Sequence, residues 1–347
     1  MRILVTGNMG YIGPILSRHF LDSFENPELI GVDPGFFGHC LTGATELPET
    51  RFATQHFSDV RDLGPADLEG VDAVVHLAAI SNDPMGNAFE AVTESINLDG
   101  SVHLAKTARE AGVKAFVFAS SCSVYGFAEG GARDESSELN PLTAYARSKI
   151  GTEQAIVDLA GDDFVVSCLR FPTACGMSDR LRLDLVLNDF VASAVATGRI
   201  TILSDGTPWR PLIDIRDMAR AAEWAIKRRP DAGDEFLAIN VGRTEWNYQV
   251  KDLALAVKDV MPDVEIDINT DAAPDKRSYQ VDFSRYAELA PDHLPQVDLH
   301  QSIRELKDGL ERMGFDDAEF RSSMLIRLHM LQSLRDSGRL DTNLRWN

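Results

Sequence analysis

Over the first 170 residues, short apolar runs rich in β-formers alternate with stretches whose apolar positions recur at helical spacing. The runs at 3–6, 29–32, 52–57, 73–77, 115–119 and 165–169 read as strands. The stretches at 11–21, 89–111 and 144–159 read as helices. Such alternation predicts a parallel sheet with helices on both faces. The unbroken runs AVVHLAA and AFVFASS fit strands buried on both sides. After about residue 169 the rhythm breaks. Helices are expected at 184–197, 215–227 and 248–260, and RITILSDG reads as a strand and turn. Pro262, Pro274, Pro291 and Pro295 punctuate a loop-rich stretch. In the tail, Phe320, Met324, Leu328, Leu331 and Leu334 recur at helical spacing, so 316–337 is expected to be a helix docked on the body.

Charge narrows the partners. The chain has 347 residues, a net charge of −20 and a pI near 4.7. An acidic surface repels nucleic acid and anionic membrane, so neither is expected as a partner. Only eight of the 34 basic residues are Lys, so an anionic substrate must find a local cluster of Arg. The four cysteines show no C-x-x-C spacing and no His/Cys cluster, so no metal is expected. They read as reduced thiols in a cytoplasmic protein. Met1 runs straight into a strand, with no leader expected, and no apolar run approaches the ~20 residues that span a bilayer.

The turn after the first strand reads VTGNMGYIGPIL and spaces Gly7, Gly10 and Gly13 as G-x-x-G-x-x-G. Glycines there let backbone approach a pyrophosphate, which sits at a helix N-terminus beside Tyr11 and Ile12. Asp33 ends the second strand, 20 residues beyond Gly13. A carboxylate there accepts the adenosine ribose hydroxyls and repels a 2′-phosphate, which selects NAD over NADP. Asp59 of SDVRD follows the third strand and could reach the adenine amine, with Val60 giving backbone contact. Leu77, Ala78 and Ala79 close the fourth strand with small residues beside the dinucleotide. The expected fold is therefore α/β: a Rossmann-type doubly wound parallel sheet with a smaller α/β substrate-binding domain. Residues 1–170 form the dinucleotide-binding part, with 211–240 returning to it. Residues 171–210 and 241–315 form the substrate-binding part, and 316–347 the docked helix and tail.

Tyr145 and Lys149 stand four apart on a predicted helix and share a face. Tyrosine is a poor base near neutral pH. Lowering its pKa by about 3 units requires about 4 kcal/mol, within reach of a Lys ammonium and an oxidised nicotinamide.

The elements TGNMGYIG, SDVRD, HLAA, INLDGSVHLAKTA, SSCSVYG, YARSK, LRFPTACG and DGTPWRPLIDIRDMA together resemble the extended short-chain dehydrogenase/reductases of the NAD-dependent epimerase/dehydratase family, with DKRSYQVD as a weaker echo. The resemblance implies NAD and a nucleotide-diphosphate sugar as substrate. It implies Tyr145 as acid and base, Lys149 on the nicotinamide ribose, and Ser121 on the reacting hydroxyl. Asn97 orders a network behind Lys149, and Phe171 borders the cofactor. Arg210 and Arg277 hold the substrate diphosphate. Asn82, Asp83, Ser123 and Thr173 fall where the sugar lies, although Asn82 and Asp83 also read as loop caps. Arg180 and Arg182 of DRLRLD read either as phosphate-steering cations near the cleft or as a solvated helix start. The resemblance also implies a homodimer paired through helices 89–111 and 144–159.

The chain departs from the pattern at Thr173, where Asn is usual, and at Cys122 and Ser123, where the dehydratases carry Asp-Glu. Without those acids the favoured reaction is epimerisation, most readily at C4. A dehydratase, a ketoreductase and a catalytically silent NAD-binding regulator are the alternatives.

Overall fold

In a computed structural model, which describes residues 1–127, 130–269, 272 and 278–347, the chain forms twelve strands and eleven α-helices among the described residues. The strands are β1 (Arg2–Thr6), β2 (Glu28–Val32), β3 (Thr54–His56), β4 (Ala73–His76), β5 (Ala115–Ser121), β6 (Val165–Phe171), β7 (Thr173–Cys175), β8 (Arg199–Ile202), β9 (Trp209–Asp214), β10 (Phe236–Asn240), β11 (Asn247–Gln249) and β12 (Glu265–Ile268). The helices are α1 (Gly13–Ser23), α2 (Asp83–Ala88), α3 (Glu90–Glu94), α4 (Gly100–Glu110), α5 (Ala144–Ile156), α6 (Val186–Thr197), α7 (Ile215–Lys227), α8 (Val250–Val260), α9 (Ser284–Leu289), α10 (Leu299–Arg312) and α11 (Arg327–Asp336).

Seven strands form one parallel sheet in the order β10-β6-β5-β4-β1-β2-β3. The chain winds one way from β1 to β3 and the other way from β4 onward. A crevice therefore opens at the carboxyl ends of β1 and β4, where doubly wound sheets bind ligands. The doubly wound α/β fold is the one the alternating pattern predicts. Helices α1 and α7 pack together on one face. On the other, Leu104, Ala105 and Ala108 of α4 join Leu331 and Leu334 of α11 in one buried cluster. Two small sheets, β11-β9-β7 and β12-β8, stand beside the large one with α6, α8 and α10.

Register sets the height of the chemistry. Thr6, Val32, His76 and Phe118 lie level across β1, β2, β4 and β5. β5 and β6 then pair for three further residues, ending at Ser121 opposite Phe171. Those two strands outrun the sheet and lift Ser121 above its neighbours.

Two predicted helices are broken. The stretch 89–111 is α3, a π turn over Ser95–Asp99, and α4. A π turn removes one carbonyl from the regular ladder. Here the Asn97 carbonyl accepts the hydroxyls of Ser101 and Thr152 instead. The tail is helical only over Arg327–Asp336, after a 3-10 turn at Phe320–Ser322. The Asp317 carboxylate and Ser323 hydroxyl accept backbone N–H groups two residues on. Such local bonds compete with helix. The third strand is also shorter than its apolar run.

Candidate functional site

A cleft of about 1080 Å³ runs along the carboxyl ends of the strands and under the smaller sheets. Most of the residues singled out in the sequence line it. At one end is the glycine turn. Gly7 has φ +74°, and a Cβ there would meet the Ala78 nitrogen at 2.6 Å, so β1 can pass β4 this closely only with glycine. A Cβ on Gly13 would meet the Asn8 carbonyl oxygen at 1.9 Å, which fixes the entry angle of α1. Gly10 meets only the Gly7 carbonyl and leaves the α1 N-terminus open beside Tyr11 and Ile12. This is a cradle for a pyrophosphate.

Asp33 follows β2, and its carboxylate accepts from the Met9 and Gly35 N–H groups. Burial nevertheless pushes its pKa up to about 6, and the two backbone donors offset only part of that. Leu77, Ala78 and Ala79 border the cleft as expected, with Val60. The Asp59 carboxylate lines the cleft and already has protein partners. It caps the turn at Val60–Asp62 and holds the Arg61 guanidinium at 2.7 Å, with Arg345 at 3.6 Å.

At the other end, Thr143 caps α5 by accepting from the Ala146 N–H, which points Tyr145 and Lys149 at the strand ends from adjacent turns. Gly86 lets α2 approach the Tyr145 backbone, since a Cβ there would already lie 3.2 Å from its nitrogen. Lys149 is buried. It donates to the Ala119 carbonyl at 2.7 Å, and its Nζ lies 5.5 Å from the centre of the Tyr145 ring. Burial pulls Lys149 down to about 7, against the attraction of Glu153. Burial pushes Tyr145 up to about 12, and the Ser121 hydroxyl opposes that by hydrogen bonding. Behind Lys149, Asn97 bonds both backbone groups of Ile80 and the Ser148 hydroxyl, the supporting network expected of it. His76 lies beneath, between Thr6 and Ser101, and burial pulls it down to about 3, so it is neutral.

Phe171, Thr173, Ser123 and Arg210 line the sugar end. The Ser123 hydroxyl is buried with no partner among the described residues. Arg210 donates to the Trp209 carbonyl. Arg277 lies outside the described residues. Asn82 caps α2 by accepting from the Met85 N–H, the Asp83 carboxylate accepts from the Thr143 hydroxyl, and both line the cleft. Cys122 is buried, donates to the Arg170 carbonyl and is pushed well up by burial.

The solvated reading of DRLRLD is overturned, because Arg180 and Arg182 are 1% and 7% exposed. Arg182 grips Asp184 with two bonds of 2.9 Å and donates to Ser81. Arg327, also on the cleft wall, was not singled out in the sequence. Its only signal there is a cation beginning the tail helix.

Residues 3–242 match the model of the NAD dependent epimerase/dehydratase family. The chain belongs to that family. It is 31% identical over 267 residues to the uncharacterized UDP-glucose epimerase YtcB of Bacillus subtilis, covering 74% of this chain and 81% of that one. It is 28% identical to a UDP-glucose 4-epimerase of Rhizobium leguminosarum bv. trifolii, again over 74% and 81%. The fold matches the NAD-dependent NDP-hexosamine 5,6-dehydratase TunA with a TM-score of 0.75 at 23% identity, over 91% and 99% of the two chains. At that identity the likeness speaks to fold alone, and one fold hosts both reactions. The family is NAD dependent, and the open helix end, the small-residue border and Asp33 fit NAD.

Proposed function

We propose that this chain epimerises a nucleotide-diphosphate sugar, at C4, through a transient keto sugar. One observation carries the reading: an oxidising centre stands beside carboxyls that are already engaged. Asp83 accepts from Thr143, and Asp184 is bonded to Arg182 and Asn82. Glu153 holds Arg170, and Glu135 accepts from Asn240. Cys122, pushed well up by burial, holds its proton too tightly to replace them. Expelling water from a sugar needs an acid, whereas returning a hydride needs none beyond the tyrosine.

NAD, when bound, supplies a reversible hydride acceptor and a positive charge near the phenol. Tyr145 takes the proton of the C4 hydroxyl and later gives it back, while Ser121 bonds that oxygen. Bringing Tyr145 from about 12 to neutrality takes ~5 units, or ~7 kcal/mol. Two cations near 4 Å at an effective dielectric of ~20 supply about 4 kcal/mol each. Lys149, its Nζ 5.5 Å from the Tyr145 ring centre, is proposed as one of them and acts to the extent that it keeps the proton whose pKa burial pulls to about 7. Arg210 and Arg277 are proposed to hold the substrate diphosphate, with residues 171–210 and 241–315 as the substrate-binding part. We also place the enzyme in the cytoplasm as a homodimer. The adjacent α4 and α5 offer the pairing surface, and a sedimentation mass tests it.

The function is tested by incubating the protein with UDP-glucose and a panel of nucleotide sugars, and reading products by mass and NMR. The expected product has the substrate's mass and an inverted C4, with no net use of added NAD. A product lighter by one water or by carbon dioxide, or stoichiometric NAD consumption, rejects the epimerase.

A further inference from the structure

Three guanidinium groups are buried close together, those of Arg180, Arg182 and Arg327, and the last two line the cleft. Two are matched. Arg180 grips Glu49 at 2.6 and 3.1 Å, and Arg182 grips Asp184. The third is not. Arg327 is 1% exposed and donates one arm to the Arg180 carbonyl at 2.8 Å. Its face lies 4.8 Å from the centre of the Phe37 ring. Its Nη1 has no partner among the described residues, and no carboxylate there pairs with it. Burial pulls this guanidinium down to about 10, with Arg182 and Arg180 adding repulsion, and the attraction of Cys40 and Asp184 offsets only part of that. A buried cation left unmatched costs several kcal/mol, and an anion in the cleft removes that cost.

The surroundings identify the anion. Arg327 touches Phe37, four residues beyond Asp33, on the wall where the adenosine ribose is to bind. Its neighbour Arg182 belongs to the network of Tyr11, since Asn188 bonds both the Tyr11 hydroxyl and the Arg182 carbonyl. A dinucleotide running from Asp33 to Lys149 must carry its diphosphate past Tyr11, between the α1 N-terminus and these cations. The segment bearing Arg327 is also fastened at that end. Trp346 donates to the Pro34 carbonyl at 2.6 Å and meets the Phe36 ring, Arg345 pairs with Asp59 and Asp62, and Arg61 donates to the Asn343 carbonyl. Leu340 and Leu344 are buried beneath. Arg327 and the rest of this tail lie beyond the family match, which ends at residue 242.

We propose that Arg327 is a second clamp on the NAD diphosphate, opposite the α1 N-terminus, and that residues 320–347 strap it in place over the adenosine end. The inference rests on NAD as cofactor and not on which sugar or carbon reacts. Its test uses full-length protein stripped of cofactor, titrated calorimetrically with NAD, ADP-ribose, adenosine and UDP. Arg327→Met should weaken NAD and ADP-ribose by 10- to 100-fold while changing adenosine and UDP by less than twofold, a charge-assisted contact being lost. Arg327→Lys should recover part of the loss, and Trp346→Ala should speed NAD release. Selective loss of UDP binding would assign Arg327 to the substrate and overturn the proposal. Unchanged NAD binding, or equal weakening of adenosine and ADP-ribose, would leave Arg327 a packing residue and overturn it too. Should Arg327→Met not fold, Arg327→Lys carries the decision: an NAD affinity and salt dependence equal to the unmodified protein's, with no preference between adenosine and ADP-ribose, refutes the clamp.

Discussion

Lys149 and Glu153 sit one turn apart on α5, both buried, and they meet opposite fates. Glu153 receives two arms of Arg170, the closer at 2.7 Å, and the Ser120 hydroxyl. Arg170 also reaches the Tyr125 hydroxyl, which donates to Asn240 on β10. That chain of bonds ties α5, β5, β6 and β10 together, and it raises the Arg170 pKa above its ordinary value despite burial. Lys149 has a single backbone carbonyl and is pulled down to about 7. The matched pair is scaffold, and the unmatched charge faces the cleft. Asp33 and Arg327 side with Lys149. All three, none of them in a salt bridge among the described residues, line the cleft.

The largest effect should follow from the group that borrows the Lys149 charge. Tyr145→Phe removes one oxygen and little volume, so the fold and substrate affinity should be retained. Turnover should fall ~10²- to 10⁴-fold. Steady-state kinetics on the nucleotide sugar that the panel yields as substrate checks this, and near-normal turnover would remove Tyr145 from the chemistry.

The next prediction sets the two charges of α5 against each other by chemical denaturation at pH 7. Glu153→Gln leaves Arg170 buried without its counter-ion and should cost about 3–5 kcal/mol. Lys149→Met should do the reverse. The folded Lys149 pKa of about 7 lies below the ordinary lysine value of 10.5, so its contribution to stability is present above pH ~10.5 and lost as pH falls toward 7. Removing the amine should therefore stabilise the cofactor-free protein by about 1–3 kcal/mol, once the lost bond to Ala119 is set against the relieved desolvation. Destabilisation by both substitutions would erase the distinction between matched and unmatched charges.

What the sequence revealed follows the range of the forces involved. The strand–helix alternation, the glycine turn and the Tyr145–Lys149 spacing are local patterns, and each lies where it was expected. The π turn at Ser95–Asp99 escaped because nothing in a periodicity count distinguishes a carbonyl recruited by Thr152, 55 residues away. The solvated alternative for Arg180 and Arg182 stayed open because Glu49 and Ser81 are 131 and 101 residues distant, although Asp184, the ion-pair partner of Arg182, is only two residues on. The tail looked like one helix because apolar spacing does not register the turns made by Asp317 and Ser323. The Asp59 partner was legible, for Arg61 stands only two residues on.

The smallest effect concerns Asp33, and its sign distinguishes a ligand acceptor from a structural cap. Its folded pKa of about 6 lies above the ordinary aspartate value of 3.8, with burial the main cause and Arg180 and Glu49 acting in opposite directions. Its stabilising contribution is therefore fully present below pH ~3.8 and lost as pH rises through about 6. In cofactor-free protein at pH 7.5, Asp33→Asn should add about 1–3 kcal/mol of stability, a gain that vanishes near pH 4. Affinity should move the other way. Ribose hydroxyls donate to the ionised carboxylate, so NAD binding to the unmodified protein should weaken as pH falls below about 6. The slope should approach ~10-fold per pH unit at its steepest. The Asn variant should bind more weakly at pH 7.5, and this component of its pH dependence should disappear. Titrations with NAD between pH 5 and 8 decide the matter. An Asn variant that keeps the unmodified protein's slope would make Asp33 a cap for Met9 and Gly35 alone, and would move it to the matched side of the comparison.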